Sequence, residues 1–263
     1  MPARYPERIV CLTEETTETL YLLGEERRIV GISGYTVRPP RARKEKPRVS
    51  AFLSARTDKI LELKPDLVLG FSDLQADISK DLVKAGLNVV IFNQRSVEEI
   101  LSFIQVLSSI VGVPGKGEKL VASLEKNLQE IRKNAPKKRP RVYFEEWDEP
   151  MISGIRWVSE LVQIAGGEDI LAELSSSQAA SGRIHDGTKV IERKPDIVLG
   201  SWCGKKFRPE RVKARPGWEK IPAVKNDQLF EIKSAEILQP GPAALTDGVQ
   251  QIQKIVRSWS QKS

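Results

Sequence analysis

One histidine, His185, and two cysteines, Cys11 and Cys203, are all that 263 residues offer of the softer metal ligands. A first-row metal held wholly by side chains draws on several His or Cys ligands or a carboxylate cluster, so a zinc enzyme or a histidine-built metal receptor is excluded. The two cysteines lie too far apart for a ligand spacing and build no disulfide framework. A Ser-His-Asp hydrolase would have only His185 to use, and there is no Gly-x-Ser-x-Gly turn to receive it. No apolar run approaches the roughly 18 residues of a membrane span. The most apolar stretch, 100–113, is broken by Ser102, Gln105, Ser108 and Ser109. The opening MPARYPERIVCL lacks the apolar core of a signal peptide. The chain as written therefore reads as cytoplasmic, and as periplasmic or cell-surface if a signal has been removed.

What is present is a globular composition, 40% apolar and 29% charged, with a net charge of +7. The length suits about two domains, and burial of about 70–75% of the unfolded surface makes disulfides or metal unnecessary for folding. Basic residues cluster at 38–48 (RPPRARKEKPR) and 137–141 (KKRPR). No zinc-finger spacing, RNA-binding aromatic signature or recognition helix accompanies them, so they read as solvated loops and nucleic acid is not a partner.

The chain repeats itself. Residues 60–70 read ILELKPDLVLG and residues 190–200 read VIERKPDIVLG, with seven of eleven positions identical. Each copy describes a helix stopped by proline and a short buried strand closing at glycine. Strands at 8–12, 88–92, 141–145 and 228–232, and helices at 16–23 and 157–165, extend the match into strand, helix, strand, helix, strand, twice. Such alternation implies mainly parallel sheets flanked by helices. Between the halves, Leu120, Val121, Leu124, Leu128 and Ile131 mark one face of a helix over 116–134, about 30 Å long. The expected architecture is α/β: a lobe over 1–114, a connecting helix over 115–138 and a similar lobe over 139–263, with a ligand cleft between.

The stretches RIVCLTEETTETLYLLG, GISGYTVRPP, KPDLVLGF, WVSELVQIAGGEDI, KPDIVLGSW, RPGWEKIPAVKNDQLFEI and ILQPGPAALTDGVQQI carry a resemblance over nearly the whole chain. It resembles the helical-backbone (class III) substrate-binding proteins of ABC importers, most closely the cobalamin-binding type. The resemblance implies a non-enzymatic monomer with no built-in cofactor. Its ligand would be cobalamin, another corrinoid, haem or a ferric siderophore, and its partner, if the chain is exported, an ABC permease. It also implies one acid per lobe docking on that permease, by position Asp77 and Glu210. The alternative is a cytosolic corrinoid or tetrapyrrole carrier, or an enzyme that re-uses the fold with Cys203 and the acidic stretch 145–149.

Ligands of open α/β sheets sit beyond the carboxyl ends of the strands. That rule nominates Glu14, Glu15, Tyr35, Phe71, Ser72, Asn93 and Gln94 in the first half, and Glu146, Trp147, Ser201, Trp202 and Cys203 in the second. Phe71 and Trp202, just past the repeated glycines, are expected either to clamp a flat ligand between aromatic faces or to cover a strand end as core residues. Glu14 and Glu15 also suit the start of a helix, where the dipole favours acids. The acids at 145–149 are expected to recognise ligand amides or to pair with Arg38, Arg41 and Arg43. Lys205 and Lys206 beside Cys203 should lower its pKa if it is exposed. For His185, lobe packing is favoured over axial ligation.

Overall fold

A computed structural model describes residues 5–262; the first four residues of the opening stretch and Ser263 lie outside the described residues. The chain divides into two compact units. One is built from the chain up to Gln94 with Glu98–Leu124, the other from Arg95–Val97 with the chain from Glu125.

In the first unit, strands β1 (Ile9–Cys11), β2 (Ile29–Ser33), β3 (Arg48–Ser50), β4 (Leu67–Phe71) and β5 (Val89–Phe92) form a sheet in the order β3-β2-β1-β4-β5. Every pairing is parallel. Helices α1 (Glu14–Leu22), α2 (Ala42–Glu45), α3 (Thr57–Glu62) and α4 (Ala76–Lys84) make the crossovers, and α5 (Val97–Ile110) follows the last strand. Central β1 and β4 are buried throughout, as expected of parallel strands covered on both faces. Val10, Leu12, Val49, Ile60, Val68 and Leu82 form a core cluster.

Helix α6 (Pro114–Lys133) is continuous over 20 residues, and the division between the units falls within it. Of its apolar stripe, Val121, Leu124, Leu128 and Ile131 are buried. Gly117 is required at its start, because a Cβ there would stand 2.0 Å from Ser108 Oγ on α5.

The second unit contains β6 (Arg141–Asp148), β7 (Met151–Ser153), β8 (Glu168–Asp169), β9 (Ile184–His185), β10 (Ile197–Gly200) and β11 (Leu229–Glu231). The sheet order is β11-β10-β6-β7-β9, with β8 also on β6. Pairings among β6, β8, β10 and β11 are parallel, whereas β7 is antiparallel to β6 and β9. The second half therefore departs from the simple alternation read in the sequence. Strand β6 runs three residues past the expected 141–145 and turns back at Pro150, which has no N–H to extend a ladder. Helices α7 (Arg156–Ile164), α8 (Thr188–Arg193), α9 (Pro209–Lys213), α10 (Pro222–Lys225), α11 (Ser234–Ile237) and α12 (Val249–Lys262) complete an α/β fold with two mainly parallel sheets.

The repeated Lys-Pro-Asp has one structural job in both units. Lys64 and Lys194 close α3 and α8 at φ 46° and 49°. Asp66 then accepts the backbone N–H groups of Glu7 (2.7 Å) and Arg8 (3.0 Å), ahead of β1. Asp196 accepts the N–H of Arg141 (2.9 Å), the first residue of β6, and its guanidinium (3.0 Å). The motif pins the start of the central strand of each sheet in the same way.

Candidate ligand-binding faces

Because all five strands of the first sheet are parallel, their carboxyl ends share one edge. The loops there are knitted together. Gly34 N–H donates to Ser50 O at 2.7 Å. The buried Gln75 side chain donates to Phe52 O at 3.0 Å and to Leu12 O at 3.5 Å, and accepts the Phe71 N–H at 3.0 Å. A Cβ at Gly70 would come within 2.7 Å of Gln75 Oε1, so the repeated glycine makes room for this tie. From these loops Tyr35, Leu53 and Leu74 are 62%, 68% and 57% exposed. They follow β2, β3 and β4. Only Tyr35 was legible in the sequence; Leu53 and Leu74 lie in aperiodic loops where an apolar residue gives no signal.

The other nominated residues of this unit divide. Asn93 is exposed; Phe71, Ser72 and Gln94 are buried. Ser72, at φ 65°, turns the chain, its hydroxyl accepting the Leu74 N–H at 3.3 Å. The expectation that Glu14 and Glu15 meet a ligand needs correction, since both carboxyls turn into the protein. Glu14 Oε1 accepts the N–H groups of Val37 (2.9 Å) and Arg38 (2.7 Å). Glu15 Oε1 accepts the Thr13 hydroxyl at 2.5 Å. Burial pushes both acids up to about 7, against the pull of these hydrogen bonds.

In the second unit the aromatic nominated for the clamp is a core residue. Trp202 is buried with Tyr143, Val198, Phe207 and Trp218. Its ring meets Phe207 edge-on at 5.0 Å, and its N–H donates to Glu145 Oε1 at 3.0 Å. Gly200 lets Phe207 lie against the strand end, since a Cβ there would stand 1.9 Å from the ring. Trp202 stands two residues past its glycine and Phe71 one. Successive residues of an extended chain point to opposite sides, so the two were never equivalent. Neither ring is presented as an open face.

The acidic stretch is not a surface patch either. Glu145 is fully buried and bonds Arg215 through both oxygens, at 2.6 and 2.9 Å. Glu146 pairs with buried Arg183 at 2.6 Å. Asp148 holds Lys205 and Arg211, and Glu149 holds Arg211 at 3.3 Å. The expected partners are engaged elsewhere: Arg38 with Glu18 at 2.8 Å and Arg41 with Glu26 at 2.9 Å. Trp147 is half-buried with Lys205 Nζ 4.0 Å from its ring centre. Ser201 is buried, whereas Cys203, Lys205 and Lys206 after β10 are exposed. Desolvation and Glu146 push the Cys203 thiol up, opposite to the lowering expected from its lysines, so the thiolate needed by the enzyme alternative is disfavoured.

His185 closes one chain of hydrogen bonds. Gly187 N–H donates to its Nδ1 at 3.2 Å, which leaves the proton on Nε2, 3.0 Å from Tyr143 Oη. Tyr143 Oη–H donates to Glu145 Oε2 at 2.8 Å. Both ring nitrogens are occupied, so axial ligation would require breaking a bond. Among the described residues no group of three or more His, Cys, Asp and Glu is arranged to hold a metal ion, and no helix is long and apolar enough to cross a membrane.

Comparison with known proteins agrees with this architecture. A vitamin B12-binding protein of Vibrio cholerae is 27% identical over 256 residues, covering 94% of this chain and 87% of that one. The crystal structure of a possible iron-binding periplasmic solute-binding protein from Staphylococcus epidermidis superimposes with a TM-score of 0.83 at 22% identity, covering 96% and 99% of the two chains. The periplasmic heme-binding protein RhuT from Roseiflexus gives 0.80 at 23% identity, covering 95% and 99%. The model of the periplasmic binding protein family matches residues 9–236. Two α/β units, strand-end loops with exposed apolar side chains and a family match over most of the sequence have one meaning: the chain belongs to the periplasmic binding protein family, whose members are substrate-binding proteins and not enzymes.

Proposed function

We propose that this substrate-binding protein of an ABC transporter takes a metal tetrapyrrole or a ferric chelate, cobalamin first. The observation that carries the reading is the trio Tyr35, Leu53 and Leu74, exposed on strand-end loops along the carboxyl edge of the first unit's sheet. Large apolar side chains held open on a knitted loop frame suit the face of a flat, weakly polar ligand. The similarity to a vitamin B12-binding protein, a heme-binding protein and a possible iron-binding protein supports the same class. In the first unit Asn93 is also exposed, just after β5, and in the second unit Cys203 is exposed after β10.

Thermal shift and absorbance titration with cyanocobalamin, hemin and a ferric catecholate test the class. The cognate ligand at 100 times its Kd stabilises the protein by about 2.7 kcal/mol. Leu53→Ser and Leu74→Ser are each expected to weaken binding about fivefold, close to 1 kcal/mol for a partly buried leucine. No response to any of the three probes rejects the class; full affinity in both variants rejects the face.

The permease contacts follow the same reading. Asp77 and Glu210 are both exposed, and each lies in the first turn of the helix that follows the Lys-Pro-Asp strand of its unit. Asp77→Ala and Glu210→Ala are expected to leave ligand affinity unchanged and to lower transporter-stimulated ATP hydrolysis. Loss of ligand affinity in either variant would remove that residue from the docking role.

A further inference from the structure

We infer that Glu14 is a positioning residue for ligand binding, acting through the loop that presents Tyr35. This rests on the ligand-binding reading of the first unit's strand-end face. The loop over 34–41 has little regular structure of its own, since β2 ends at Ser33 and α2 begins only at Ala42. Three observations show what holds it. Glu14 Oε1 accepts two consecutive backbone N–H groups, those of Val37 at 2.9 Å and Arg38 at 2.7 Å. Glu18, one turn further along α1, takes the Arg38 guanidinium at 2.8 Å. Ser33 Oγ accepts the Tyr35 N–H at 3.3 Å, and Thr36 N–H donates to Ser33 O at 3.1 Å. Tyr35 is thus fixed on one side by the end of β2 and on the other by α1, while its side chain stays 62% exposed.

The arrangement is costly to maintain, which argues that the loop's position matters. Glu14 is only 4% exposed and stands beside Glu15 and Glu18, and burial pushes it up to about 7. A buried acid among acids is unfavourable. An exposed loop whose only task was to connect β2 to α2 would satisfy the Val37 and Arg38 amides with water. Here the carboxyl oxygen replaces that water and sets the loop in one conformation before a ligand arrives, which lowers the ordering cost of binding. The first turn of α1, nominated for ligand contact, instead acts one step behind the surface.

Two substitutions separate the possibilities. Glu14→Met keeps the buried volume and removes the acceptor; Glu14→Gln keeps the acceptor oxygen and removes the charge. Hydrogen exchange of the Val37 and Arg38 amides in ligand-free protein reads the tie itself. Absorbance titration with cyanocobalamin, hemin and a ferric catecholate reads its consequence. Glu14→Met is expected to speed exchange of the two amides at least tenfold and to weaken binding about tenfold. Glu14→Gln is expected to hold both within about twofold of wild type. Faster exchange in Glu14→Met with unchanged affinity would overturn the inference and leave the ligand reading standing. Weaker binding with unchanged exchange would overturn it as well. If wild type binds none of the three probes, the ligand class and the positioning role fall together, and the exchange data then describe a loop tie without that consequence.

Discussion

Arg215→Met is expected to destabilise the protein by about 3–5 kcal/mol, the range for removing one partner of a buried ion pair. Glu145 is fully buried, and its oxygens accept two bonds from Arg215, one from Tyr143 Oη and one from Trp202 Nε1. Without the guanidinium, the carboxylate keeps two neutral donors and loses its counter-charge. The guanidinium also lies 4.6 Å from the centre of the Trp218 ring, a contact that Met replaces only in part. Urea denaturation of Arg215→Met and of Lys189→Met gives the comparison. Lys189 pairs with Glu173 at 3.4 Å in the open, where such pairs contribute about 0–1 kcal/mol. Equal losses in the two variants would mean that the buried pair does not hold this core.

The network also explains what the sequence concealed. Glu145 and Arg215 are 70 residues apart, and each sits in a run of like charges, EEWDE and KARP. Read locally, the first run is an acidic loop. Only the pairing of β6 with β10 brings Glu145 beside Trp202 and under Arg215. By contrast, the Lys-Pro-Asp repeat was legible because the residues that form it are consecutive, a lysine with φ of 46° or 49°, a proline and an aspartate, although the strand start that the aspartate holds lies far back in the chain. The 20-residue helix was legible from its apolar stripe for the same reason. The strand-end face was half legible. Topology gave its location and Tyr35, but Leu53 and Leu74 stand in loops with no periodicity to mark them. The clamp failed on a one-residue difference after the repeated glycine, enough to send Trp202 into the core.

Acid is expected to act on His185 and on the pair Glu14 and Glu15 with opposite sign, and the lone histidine makes its share measurable. Burial pushes His185 down to about 4; Arg215 and Lys189 act in the same direction and Asp186 against it. Protonation would place a second donor at Nδ1, facing the Gly187 N–H. The unfolded chain takes up this proton near 6.5, so the contribution of His185 is full above that pH and is lost as pH falls towards 4. A fall from 6.5 to about 4 corresponds to about 3.4 kcal/mol. The ring lines an open hollow of about 500 Å³ with Leu174, Ile184, Asp186 and Lys189, so solvent screening reduces this to about 2 kcal/mol. Glu14 and Glu15 titrate the other way. Raised to about 7 from an ordinary 4.5, they contribute most below 4.5, and that contribution is lost as pH rises through 7. The stability difference between wild type and His185→Gln should therefore shrink by about 1.5 kcal/mol between pH 7 and pH 4.5, whatever the carboxyls of the first unit do, because they are common to both proteins. One imidazole signal in a proton–carbon NMR titration reads the pKa directly. An imidazole titrating at 6.5 or above, or a difference that stays flat with pH, would mean that the ring is not held neutral by Gly187 and Tyr143.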